Sequence, residues 1–404
     1  MQPRIPTRFL GGLSLVLMGM VFNPAFGQDP IKLGIIAPFD TPPGEGLINA
    51  AQMAADDINA EGGIDGRQVE LVIRNDQYDA SEGVDAYRRL ALRDEVAVVL
   101  GTASSGVSMA ITDHMARNRV PFISTGAASL ELSAKVAENY DRYKYWFRVM
   151  HTSDDIAESV ADWAVNFLHG ELGYTKGAIL SEDALWTDGV IPIVRELLED
   201  AGVEIVAEEH FDLDTRDFRP ILSRIESRGA EFIIDFSSHV DGSTYVRQWG
   251  QLEGPVMGGL NASGTSSRFW NDTEGGARGH ADLIQGGYRV DLTPKTIEWF
   301  DRYTERFEVS PDYTTGYTYD AMFIVKEAIE RAGSTDPDAF VEAMEATDYT
   351  GVAGRWVFDE KHDPKFGPDY RVMGMTQWQE GGDREVVWPE DVKTGEFLLL
   401  DWQR

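Results

Sequence analysis

Residues Val98–Ile111, VVLGTASSGVSMAI, begin as an apolar run that stops at Gly101. A loop of small residues follows, Thr102, Ala103, Ser104, Ser105 and Gly106, and then a pattern compatible with a helix. A strand, a serine-rich loop and a helix in that order form one βα unit. Such a junction can present a nucleophile, cradle a phosphate, or hold a ligand that is never changed.

The same unit recurs on both sides. Upstream, IKLGIIAPFD reads as a strand, LINAAQMAADDINAEGG as a helix ended by Gly62 and Gly63, and RQVELVIRND as a strand. Downstream, KGAILS, VEIVAEEHF, EFIIDFS and PVMGGL read as strands separated by helical segments. The tail, GRWVFDEKHDPKFGPDYRVMGMTQWQEGG, reads as antiparallel strands and turns. Two doubly wound α/β lobes with parallel sheets follow, and ligands of such sheets sit beyond the carboxyl ends of the strands. The informative loops are therefore APFDTPPGEG, GTASSG, STGAAS, SEDALWTDG, FSSHVDG and GLNASG.

The 404 residues are enough for two domains, and 43% hydrophobic with 26% charged residues is a globular balance. Arg4 and Arg8 precede an apolar stretch that ends near Asn23, followed by Ala25-Phe26-Gly27. That pattern predicts a cleaved export signal over residues 1–27 and a mature chain in the periplasm, with no membrane insertion. There is no cysteine, hence no lipid-attachment cysteine, disulfide or thiolate chemistry. A formal charge of −32 disfavours nucleic acid and anionic lipid and favours solubility.

The loops exclude several chemistries. GTASSG lacks the Gly-x-Ser-x-Gly spacing of a hydrolase elbow. No phosphate-binding glycine motif follows a strand, and no cofactor is expected. FDEKHDP gathers Asp359, Glu360, His362 and Asp363, but not at calcium-loop spacing, and reads as a solvated turn. What remains for GTASSG is a helix start whose amides and serine hydroxyls suit a carboxylate or polar group, with one serine free to cap the helix. STGAAS is a turn capped by Ser129 or the facing half of a polar cradle. Trp186 is a core lid or a flat wall.

From about Ile31 to Gly382 the chain resembles the type I periplasmic solute-binding proteins, the leucine/isoleucine/valine-binding branch of ABC importers. The resemblance is carried by IKLGIIAPF, AAQMAADDINAEGGIDGRQVELVIRND, VVLGTASSGV, VPFISTGAASLELS, YWFRVMHTSDD and FDEKHDP. It implies two lobes joined by three crossings, near Arg148–His151, Gly287–Asp291 and Gly351–Val357. The N-terminal lobe would comprise 29–149 and 290–354, and the C-terminal lobe 150–289 and 355–404. In the family the serine loop holds a carboxylate, which Ser104 and Ser105 match. The following turn is matched by Ala127 and Ser129, the covering aromatic by Trp186, and the next strand end by Ser237 or Ser238. Phe39 and Tyr317 would meet the rest of the ligand. Amino-acid-binding relatives often carry an acid where this chain has Leu260 and Asn261. Glu45 is the candidate replacement, unless the ligand has no ammonium.

The resemblance implies a binding protein, not an enzyme. It would pass a small organic solute, an amino acid or other small carboxylate, to a membrane permease, and act as a monomer. A periplasmic receptor feeding a regulator and a hydrolase using Ser104 or Ser105 are the alternatives.

Overall fold

The structure is a computed structural model that describes residues 29–404, so the export signal expected at 1–27 lies outside the described residues. Five parallel strands, β1 (Ile31–Ala37), β2 (Val69–Asn75), β3 (Val98–Gly101), β4 (Phe122–Ser124) and β5 (Trp146–Arg148), form one sheet in the order β2-β1-β3-β4-β5. β1 and β3 are wholly or almost wholly buried, as expected of strands covered by helices on both faces. The helices Pro42–Ala60 and Tyr313–Ala332 pack against each other beside this sheet, although more than 250 residues separate them.

The second sheet holds β6 (Lys176–Glu182), β7 (Glu204–Phe211), β8 (Phe232–Ser237), β9 (Val256–Asn261) and β10 (Ala281–Leu283), all parallel. β11 (Tyr349–Thr350) and β12 (Arg355–Trp356) pair as a separate hairpin. β13 (Met375–Trp378) and β14 (Arg384–Trp388) then close the edge of the second sheet antiparallel. The order is β14-β13-β10-β9-β8-β6-β7. The chain passes between the sheets three times: after β5, after β10, and between β12 and β13.

Two local readings change and one is resolved. TPPGEG is not a loop: Thr41 caps a helix whose first residues are Pro42 and Pro43, since proline suits a position with no amide to donate. The turn STGAAS leads into a helix, Leu130–Glu138, that Ser129 caps, one of the two readings the sequence offered. FDEKHDP is not a solvated turn. His362 is buried, stacks on Phe147 at 3.9 Å and bonds the Trp146 carbonyl through Nδ1 at 2.8 Å. Asp363 is buried with it and accepts from Arg148 Nε at 2.7 Å. The segment thus runs along the edge of the first sheet, beside β5, before the chain enters the second. Among the described residues no helix is long and apolar enough to cross a membrane.

Candidate ligand cleft

The carboxyl ends of both sheets face each other across a narrow cavity. β3 ends at Gly101, where φ is +126° and a Cβ would collide with the Ile36 carbonyl oxygen, so only glycine lets the chain turn there. Ser104 follows as the helix cap: its Oγ accepts from Val107 N at 3.4 Å. Ser105 lines the cavity instead. Its Oγ accepts from Ser129 N at 3.2 Å, which leaves the O–H free to donate.

The loop after β4 adds Gly126 and Ala128 to the wall. Arg148, at the end of β5 and fully buried, fixes this loop. Its Nη1 donates to Ala127 O at 2.7 Å and its Nη2 to Ser129 O at 2.8 Å. Met150 and His151, on the first crossing, form the floor with Ile156 and Gln285, and Tyr313 closes one side.

The second sheet supplies Trp186 after β6, Ser238 and His239 after β8, and Leu260 near the end of β9. Beneath them lies Glu182, fully buried and accepting four bonds. Trp186 Nε1 donates at 2.8 Å, Ser238 N and His239 N each at 2.9 Å, and His239 Nδ1 at 2.6 Å. Burial alone would push this carboxyl up, but the His239 imidazole and the other donors outweigh it and hold it below its ordinary value. With Nδ1 committed to Glu182, the other ring nitrogen of His239 is available beside the cavity. His239 also meets the Tyr78 ring of the first sheet edge-on at 5.2 Å, so the two sides of the cleft touch.

Burial, with the Arg371 and Arg148 guanidinium groups adding to it, pushes His151 down to about 3, so this imidazole is neutral. Its Nδ1 lies 3.0 Å from Tyr317 OH, and its Nε2 is buried without a partner. Gln285 Nε2 is likewise buried and unpartnered.

Of the residues singled out in the sequence, Ser105, Trp186 and Ser238 line this cavity. The others lie elsewhere. Ser104 caps, and Ser129 caps the next helix while its amide holds Ser105. Ala127 offers only its carbonyl, to Arg148. Ser237 is turned into a buried network with Tyr245, 2.8 Å away. Asn261 accepts from Ser263 N and turns the chain after β9. Tyr317 lies behind His151. Phe39 is 37% exposed and off the wall. Glu45 is exposed and lines a different depression, 3.9 Å from Arg268. His151, His239, Gln285, Tyr313 and the supporting Glu182 escaped the sequence reading. Glu182 and His239 sit in loops already marked as strand ends, but their pairing depends on β6 and β8 being neighbours.

The periplasmic binding protein family model matches residues 30–383, and the chain belongs to that family. It is 25% identical over 411 residues to the Leu/Ile/Val-binding protein homolog 7 of Brucella suis biovar 1, covering 96% of this chain and 98% of that one. The branched-chain amino acid transporter substrate binding protein LivJ from Streptococcus pneumoniae, solved with isoleucine, superposes with a TM-score of 0.76. It is 22% identical and covers 89% of this chain and 100% of its own. A solute binding protein of an ABC transporter from R. palustris, solved with benzoate, gives a TM-score of 0.75 at 16% identity, covering 91% and 96%. These likenesses agree on the type I periplasmic binding fold.

Proposed function

We propose that this protein captures a small carboxylate with an apolar body and no ammonium group between its two lobes, and delivers it to an ABC import permease. The observation that carries this reading is the polarity of the cleft. Ser105 and Ser238 hydroxyls, the two histidines, Gln285 and Tyr313 OH are its polar groups, and no carboxylate lines it among the described residues. Glu182, behind the second-sheet wall, already accepts four donors. The walls are Trp186, Leu260, Met150, Ile156 and Ala128, suited to a flat or branched hydrocarbon. The relatives solved with isoleucine and with benzoate mark the two classes to be separated.

In this reading the lobes are 29–149 with 290–354 and 150–289 with 355–404, the third crossing being drawn out along β5. The ligand bridges serine loop and tryptophan wall, favours the closed form, and the permease recognises that form. No bond is made or broken. The protein is exported to the periplasm and acts there as a monomer.

The test is a melting series on protein unfolded and refolded to remove captured ligand. Matched pairs are compared: 4-methyl-2-oxopentanoate against leucine, and 3-phenylpropanoate against phenylalanine. Burying an unpaired ammonium costs about 3 kcal/mol or more, so each acid should bind about 100-fold tighter than its amino counterpart. Equal or tighter binding of the amino acids would overturn the reading.

A further inference from the structure

Behind the cleft lies a second, small cavity with room for about one water-sized ion, lined by residues of all three crossings of the hinge. His151 and Gln285 line both cavities and form the wall between them. On the far side is Arg371, only 6% exposed. Its stem passes over Gly354, where φ is +134° and a Cβ would collide with Arg371 Cγ. The guanidinium stacks on Trp356, 4.3 Å from the ring centroid.

This cation has no acid. No carboxylate oxygen lies within 4.0 Å of it among the described residues, where the fully buried Arg148 does have one, Asp363. Arg371 Nη2 reaches only the carbonyls of Pro364 and Lys365, each at 3.5 Å, and Nε has no partner. The carboxylates that face it are committed elsewhere. Asp320 accepts from the amides of Val352 and Ala353 and from Trp356 Nε1; Asp155 accepts from Thr152 N; Asp363 accepts from Arg148. Guanidinium groups are buried with a partner because burial without one is costly. Here a guanidinium without a carboxylate borders a cavity onto whose wall two buried groups that lack a hydrogen-bond partner, His151 Nε2 and Gln285 Nε2, also open.

The geometry points to an anion subsite in the hinge, in which Arg371, supported by Gln285 and His151, binds a small anion. The charge comes either from a free inorganic or carboxylate ion or from a second acidic end of the cleft ligand. All three crossings meet around it, so its occupancy biases the hinge. Only the second source rests on the cleft reading above.

The test uses refolded wild-type protein and the variants Arg371→Met and Gln285→Leu, melted at constant ionic strength. The first arm titrates sodium chloride or sodium formate against gluconate, which is too large for the cavity. The second compares mono- with dicarboxylic acids of equal length. A saturable rise in Tm with chloride or formate, present in wild type, absent in Arg371→Met and weakened in Gln285→Leu, supports a free ion. A preference of tenfold or more for diacids, lost in both variants, supports the ligand's own second carboxylate. If wild type and Arg371→Met respond alike to every anion, the subsite is refuted. Monocarboxylate binding kept in Arg371→Met would then leave the cleft reading standing. Should Arg371→Met not fold, Gln285→Leu carries the same comparison.

Discussion

Glu182→Gln is the perturbation that tests the cleft most directly. The native carboxylate accepts from one indole N–H, two backbone amides and one imidazole N–H, all at 2.6–2.9 Å. A glutamine of the same shape keeps one carbonyl oxygen, which serves about two of these donors, and turns an NH2 group toward the rest. Each buried donor left without an acceptor costs about 1–3 kcal/mol, so two orphaned donors should cost about 3–4 kcal/mol. At about 2.1 cal/mol/K of unfolding entropy per residue, a chain of this length should lose about 4–5 °C in Tm. The loss should carry into binding, because the same bonds aim Trp186, Ser238 and His239 at the ligand. Calorimetric unfolding and titration of a bound acid measure both effects. A Tm within one degree of wild type, with unchanged affinity, would refute the claim that Glu182 organises this wall.

Two further outcomes are expected. Ser105→Ala should weaken binding of a carboxylate about 10- to 100-fold, the worth of one hydrogen bond to a charged group, while the unliganded melt falls little; isothermal titration reads the first and a thermal scan the second. His280 is fully buried, with Asp235 at 3.1 Å and Asp282 at 3.3 Å. Burial would lower this imidazole, but the two carboxylates overcome it and raise it to about 10. A histidine raised in the folded state contributes stability that is complete below about pH 6.5 and is lost as pH climbs through 10. Urea unfolding should therefore show stability falling between pH 7 and 10 by on the order of a few kcal/mol. His280→Gln should start less stable at pH 7 and lack that step.

Much of the fold was legible because its signal is local. Short apolar runs alternating with amphipathic segments marked β1 to β4 and β6 to β9 to within a few residues, though not the three-residue β5, and the strand-end loops they bound are the ones that meet at the cleft. Ser105, Trp186 and Ser238 could be reached this way: each follows a strand, in a loop of small or polar residues. FDEKHDP was misjudged because five polar residues in seven look solvated. Burial of His362 and Asp363 comes from Phe147 and Arg148, more than 200 residues away.

The amino-acid sequence by itself determined the α/β class, the family and the set of loops from which a ligand site is built. All of these are written in the periodicity and motifs of short windows. Only the tertiary structure decided which side chains face one another. The Glu182–His239 pair needs β6 beside β8, and the floor of His151 and Gln285 needs two crossings side by side. The solitary charge of Arg371 is visible only once every nearby carboxylate is seen to hold another donor. Burial and pairing are properties of neighbours far apart in the chain, and those neighbours are set by strand order and by the paths between sheets.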